Sequence, residues 1–214
     1  MFYCPYEAMS EDPYRAEEPN SYIRVFHASP NAPAVDVYAN DSLLVTNLSY
    51  KELSKYIPVL PGNYNIKVYP TGQTTNPVLS TDVYIPANSI FNVAVIGKLP
   101  DISLYTIPEP ISAQNFGKAC IRFIHLSPTA PAVDVTLSNG VKVFNNVGFK
   151  DITDYACIPS GTYAFNVIPT GTNNIVLSLS GIELLPNTYY TIYAVGDPAG
   201  GSKPLEAILV TEPR

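Results

Sequence analysis

A long motif occurs twice in this chain, and that duplication constrains the fold more than any other feature. Arg24-Val-Phe-His27-Ala-Ser29-Pro30-Asn-Ala-Pro33-Ala-Val35-Asp36-Val37 returns 98 residues later as Arg122-Phe-Ile-His125-Leu-Ser127-Pro128-Thr-Ala-Pro131-Ala-Val133-Asp134-Val135. Self-similarity at a fixed distance marks a repeated structural unit, here of about 90 residues. Both units close on a Glu-Pro step, Glu109-Pro110 and Glu212-Pro213, so the duplication runs end to end. The chain divides into an acidic Tyr/Pro leader (1–20), a first module (21–110), a connector (111–118) and a second module (119–214).

Within each module the apolar period is two. Tyr64, Ile66 and Val68 alternate with Asn65, Lys67 and Tyr69, and Tyr163, Phe165 and Val167 alternate with Ala164, Asn166 and Ile168. Such alternation describes an antiparallel strand with one buried face. Turn signals bound these runs, among them Asn40-Asp41, Pro61-Gly62, Thr71-Gly72, Asn139-Gly140 and Ser160-Gly161. Asn139-Gly140 is the strongest of them for a type I′ hairpin, whose two central residues both need positive φ. Eight short strands are expected in the first module, near 22–27, 35–38, 43–48, 56–60, 64–69, 78–85, 90–96 and 102–107. Ser49–Lys55 is expected as a strand-linking loop, because its counterpart 148–154 has poor helix formers. Abundant Tyr, Pro and Gly with few charges fit strands joined by tight turns. The predicted fold is all-β, two immunoglobulin-like antiparallel β-sandwiches in tandem behind a flexible leader.

Inside the motif, Ile23, Val25 and His27 share one strand face and Arg24 and Phe26 the other. Both faces carry apolar residues, so this strand is expected at the centre of a sheet. A buried guanidinium requires an ionic partner. Asp36 and Asp134, each the sole acid in its Ala-Pro-Ala-Val-Asp-Val run, would bear the same burial cost, so pairs Arg24–Asp36 and Arg122–Asp134 are expected to pin the first corner of each sandwich. His27 and His125 are then expected to bond backbone or the Ser29 and Ser127 hydroxyls.

A Ser–His–Asp triad from Ser29, His27 and Asp36 is disfavoured. Pro30 follows the serine directly, no Gly-x-Ser-x-Gly elbow presents it, and both copies keep the whole set, as a fold requirement would. No catalytic residues are assigned. With one His per module and no oxygen-rich loop kept in both copies, no metal site or cofactor is expected. The tyrosines, Tyr50, Tyr56, Tyr69, Tyr84, Tyr155 and Tyr193 among them, are read as half-buried strand residues before a ligand platform. Of the three cysteines, Cys120 and Cys157 are expected as buried thiols and Cys4 as an exposed one, a candidate cross-link between neighbouring chains.

Net charge is −6 with scattered Lys and Arg, which excludes the basic stripe a nucleic-acid partner needs. No stretch approaches the ~18–20 apolar residues of a membrane-spanning helix. The acidic, proline-broken start is not a secretory signal, and Met1 is read as favouring a route other than ordinary secretion.

The tandem His-x-Ser-Pro-x-Ala-Pro-x-Val-Asp-Val motif, each copy followed by a late Val-Ala-Val-Ile-Gly (93–97) or Ile-Tyr-Ala-Val-Gly (192–196), resembles the bacterial family called domain of unknown function four-three-nine-seven. That resemblance implies immunoglobulin-like modules of surface or envelope proteins and assigns no activity. The function expected is non-enzymatic: a structural or interaction protein of a bacterial surface layer, spore coat or appendage, self-associating or joining other surface-layer proteins through its leader and sheet edges. The alternative is a monomeric module binding cell-wall glycan or protein. The expected location is a spore or cell surface, with the cytoplasm as the alternative.

Overall fold

The computed structural model describes residues 21–110, 117–199 and 203–212, and Cys4 with the rest of the leader lies outside them. Every regular element among the described residues is a strand. In module 1 these are β1 (Ser21–His27), β2 (Val35–Ala39), β3 (Ser42–Leu48), β4 (Ile57–Val59), β5 (Gly62–Pro70), β6 (Leu79–Ile85), β7 (Ile90–Lys98) and β8 (Asp101–Pro108). Module 2 repeats them as β9 (Lys118–His125), β10 (Val133–Leu137), β11 (Lys142–Val147), β12 (Ala156–Pro159), β13 (Gly161–Pro169), β14 (Leu177–Leu184), β15 (Thr188–Val195) and β16 (Glu206–Thr211). Each strand expected in module 1 is found to within a few residues.

Each module is a sandwich of two four-stranded sheets, ordered β4-β1-β7-β8 and β3-β2-β5-β6 in the first, β12-β9-β15-β16 and β11-β10-β13-β14 in the second. Alternating side chains of facing sheets fill each core: Val25, Val37, Val68 and Val95 in module 1, Phe123, Val135, Phe165 and Ile192 in module 2. One pairing in each module is parallel. β1 runs parallel to β7, with Arg24 opposite Asn92, and β9 runs parallel to β15, with Arg122 opposite Thr191. Hydrophobic alternation reports which face is buried and carries no strand direction, so it could not distinguish this arrangement.

The type I′ geometry sits in the other copy. Asn40 and Asp41 both have positive φ (46° and 64°), whereas in the Asn139-Gly140 turn only Gly140 does (85°). Asn40 stabilises its turn by accepting the Asn65 N–H at 2.9 Å, a bond Asn139 replaces with one to the Val141 N–H at 3.1 Å. A side chain that bonds its own backbone two residues on holds a turn of a different type.

A third apolar core lies between the modules. Phe26, Ala94, Ile96 and Ile107 from β1, β7 and β8 meet Ile124, Tyr193 and Val195 from β9 and β15, all fully buried or nearly so. The inner sheets of the two sandwiches therefore pack face to face, giving four layers. Full burial of such a side chain is worth roughly 1.5–3 kcal/mol, so this junction holds the modules as one body. It also explains why β1 is apolar on both faces: one lines its own sandwich and the other meets the second module. Cys120 and Cys157 face each other across β9 and β12 and form a disulfide rather than two free thiols. Direct cross-strand opposition brought them together, a pairing visible only once strand register is known.

Candidate functional site

The repeated motif is taken apart by the sheet pleat. On β2, Val35 and Val37 point into the core, so Asp36 between them points to the outer face of its sandwich. Arg24 points to the junction, on the other side of the molecule. The expected pairs Arg24–Asp36 and Arg122–Asp134 do not form.

Asp36 instead binds backbone and hydroxyl groups. Its Oδ1 accepts from the Asn47 N–H (2.7 Å), Thr46 Oγ1 (3.1 Å) and Thr71 Oγ1 (3.2 Å), and its Oδ2 from the Gly72 N–H (2.9 Å). Asn47 has φ 50° at a register shift between β2 and β3, so the carboxylate holds a bulge and ties the β5–β6 loop to it. Burial pushes its pKa up, but the Asn47 and Gly72 N–H groups and the two hydroxyls outweigh that and hold it below the ordinary range. Asp134 repeats the role with Asn146 N–H (2.8 Å), Thr170 Oγ1 (3.1 Å) and Lys142 Nζ (2.6 Å). The Lys142 bond and the Asn146 N–H lower its pKa against burial.

The histidines close the loop between the two motif strands. His27 Nε2 lies 2.8 Å from the Pro33 carbonyl and His125 Nε2 3.1 Å from that of Pro131. A carbonyl only accepts, so Nε2 carries the proton in both; burial lowers both pKa values, which keeps the rings neutral. His27 Nδ1 accepts the Ser29 N–H at 3.3 Å. Ser127 Oγ donates to the Gly196 carbonyl at 2.7 Å. Ser29 is fully buried, and Asp36 makes its bonds on the outer sheet. Ser29, His27 and Asp36 are thus not assembled as a relay.

The arginines meet partners that the sequence reading passed over. Because β8 alternates, Tyr105 and Ile107 face the junction, and so does Glu109 just beyond the strand; in module 2, Ile208, Val210 and Glu212 do the same. Arg24 Nη2 lies 2.7 Å from Glu109 and 2.6 Å from Glu212. Arg122 reaches Glu212 at 3.5 Å, the Pro108 carbonyl at 2.7 Å and Thr191 Oγ1 at 2.8 Å. Tyr56 donates to Glu109, and Thr191 donates to Glu212. Each guanidinium stacks on a tyrosine, Arg24 over Tyr56 (4.9 Å) and Arg122 over Tyr155 (4.8 Å). Both Glu side chains are entirely buried. Burial, and then the neighbouring Glu212 charge, push the Glu109 pKa up to about 7 despite Arg24.

Those glutamates were recorded in the sequence only as the repeated end of each module. Their recurrence at matched positions, one alternation beyond Ile107 and Val210, was the available signal. The tyrosines do not form one platform. Tyr56, Tyr155 and Tyr193 belong to the junction, Tyr64 and Tyr163 bond carbonyls four residues back, and Tyr84 stands exposed. Among the described residues no group of three His, Cys, Asp or Glu is placed to hold a metal ion, and no helix is long and apolar enough to cross a membrane.

The outer sheet of module 2 carries a polar depression of about 400 Å³ lined by Asp134, Thr136, Lys142, Ile168, Thr172 and Asn173. That is within the ~300–1,000 Å³ usual for small-molecule sites.

A family model described as Domain of unknown function (DUF4397) matches residues 21–136 and 136–214. The chain belongs to this family. The junction between the two matched DUF4397 segments falls within β10, while the sheets divide between β8 and β9. No curated protein matches the chain. Among solved structures, a family 26 carbohydrate-binding module from Eubacterium rectale Amy13K, in complex with maltoheptaose, is similar over 91% of this chain and 97% of its own, at 8% identity and a TM-score of 0.26. A superposition that loose bears on neither fold nor function.

Proposed function

We propose that this DUF4397 chain is a non-catalytic interaction protein of a bacterial surface layer, in which two sandwiches act as one rigid body. The observation carrying this reading is where the ionisable groups of the repeated motif are used. Arg24, Arg122, Glu109 and Glu212 are spent joining the modules, the histidines on loop closure and Asp36 and Asp134 on bulges. What is left for a partner is the pair of outer sheets and the strand edges, which can add a strand from another chain through main-chain hydrogen bonds. The Cys120–Cys157 disulfide supports a location outside a reducing cytoplasm.

A second reading, binding of a cell-wall glycan, is favoured by the polar depression on module 2. Light scattering of the intact chain without reductant, combined with sedimentation against purified cell wall, tests both. A polymer or defined oligomer supports assembly, and a monomer that co-sediments saturably supports wall binding. A 23.3 kDa monomer that does neither refutes the proposal.

A further inference from the structure

The two modules differ on their outer sheets at two positions flanking the motif aspartate. In module 1 these are Tyr38, two residues beyond Asp36, and Tyr69, opposite Asp36 on β5. Their rings pack edge to face with centroids 5.4 Å apart. Module 2 has the small Thr136 and the aliphatic Ile168 in those places, since Ile168 is opposite Asp134 on β13. Both residues line the depression of about 400 Å³.

The chemistry of that depression is specific. Thr136 is 4% exposed and lines the depression. A threonine hydroxyl offers one donor and two acceptor lone pairs, so this side chain can both give and receive a bond from a polar ligand. Asp134 is also 4% exposed and accepts bonds from Asn146, Thr170 and Lys142. An ionised carboxylate has about four acceptor sites, which leaves one. Lys142 commits one of its three N–H donors to Asp134 and holds the others at the rim, where its side chain is 56% exposed. Asn173 adds an amide. The paired Asp134 and Lys142 charges cancel, so no net charge selects for an ion. Ile168 supplies an apolar patch on the floor. Gly140 and Gly171 (φ 85° and 81°) form part of the wall, and no heavy atom beyond their chain neighbours would crowd a Cβ there, so the wall is low and open.

Fixed donors and acceptors around one apolar patch, without net charge, match a sugar ring, which has hydroxyls at its edge and C–H groups on its face. We propose that the outer face of module 2 is a binding subsite for a neutral glycan, with Thr136, Asp134, Lys142 and Asn173 bonding its hydroxyls and Ile168 under its apolar face. This rests on the glycan-binding reading above and assigns it to one module. Module 1 keeps the aspartate clamp but carries the Tyr38–Tyr69 pair where the subsite would be.

The test is amide chemical-shift perturbation of the intact isotope-labelled chain, titrated separately with tetrasaccharides of β-1,4-linked N-acetylglucosamine, β-1,4-linked glucose and α-1,4-linked glucose. Saturable shifts confined to residues 134–142 and 168–173 with at least one of them are expected. Thr136→Val, which removes the hydroxyl at constant volume, should weaken binding several-fold, as loss of one net hydrogen bond does. Thr136→Tyr with Ile168→Tyr, which copies module 1, should weaken it at least tenfold while the remaining spectrum keeps its dispersion. Saccharide binding that maps elsewhere, or that the double variant leaves unchanged, overturns the subsite and leaves the glycan reading standing. No shifts with any of the three saccharides overturns both.

Discussion

Replacing Glu109 with Gln should change the pH dependence of stability more than stability itself. Glu109 lies buried in the junction between Arg24, the Tyr56 hydroxyl and the charge of Glu212. Burial first, and the Glu212 charge second, raise its pKa from 4.5 to about 7. Below pH 4.5 the group is protonated in both folded and unfolded chains, and the full stabilisation is present. Between 4.5 and about 7 the folded chain holds a proton that the unfolded one has released, so stability falls as pH rises. At 1.36 kcal/mol per pH unit that loss approaches about 3 kcal/mol.

Gln is shaped like the protonated acid and does not titrate. Glu109→Gln should therefore lie within about 1 kcal/mol of wild type near pH 4.5, the cost of one altered hydrogen bond. It should gain on wild type by about 3 kcal/mol by pH 8. Urea denaturation of both proteins at half-unit steps from pH 4.5 to 8 measures the difference, with the m-value checked for constancy. Parallel stability curves, or a wild type that gains on the variant with rising pH, would refute the reasoning.

Glu212 serves both arginines, so Glu212→Ala should cost about 3–5 kcal/mol in denaturant unfolding, the range for stranding buried charges; a cost under ~1 kcal/mol would mean the junction is hydrated. Asp134→Ala should cost less, about 2–3 kcal/mol, because part of its bonding is to the exposed Lys142. Its pKa is lowered in the fold, so the wild-type advantage should be present above pH 3.8 and disappear as acid is added below it, which unfolding curves at pH 3 and pH 6 compare. Cys157→Ala should lower stability by about 2–4 kcal/mol under non-reducing conditions, as expected for opening a loop of 37 residues, and a reductant should bring wild type down by the same amount.

The fold was legible because a period of two survives wherever one face of a strand is buried, and because turn residues punctuate it in both copies. Tyr64-Asn-Ile-Lys-Val and Tyr163-Ala-Phe-Asn-Val give their strands directly. Strand direction and order leave no such trace, so the parallel β1–β7 and β9–β15 pairs and the opposition of Cys120 to Cys157 were out of reach. The motif itself was read with the right question and the wrong partner. Arg24 does need an acid, but Asp36, the acid of its own motif, lies on β2 in the facing sheet and points to the outer side of the sandwich. Glu109 is 85 residues on, reached through the sheet order, and Glu212 comes from the other module. They were hidden because apolar residues on both faces of β1 show that each face is buried, without showing what covers it. The junction face of β1, with Phe26, is covered by the other module, where Ile124 is its counterpart.

Packed inner sheets and the Arg24–Glu109–Glu212–Arg122 junction should make the two modules one rigid body. Residual dipolar couplings of the intact chain in a weakly aligning medium measure this most directly. A single alignment tensor should fit the amides of both modules, with the relative orientation given by the packed inner sheets. Two tensors of different magnitude, one for each module, would show independent tumbling and contradict the account.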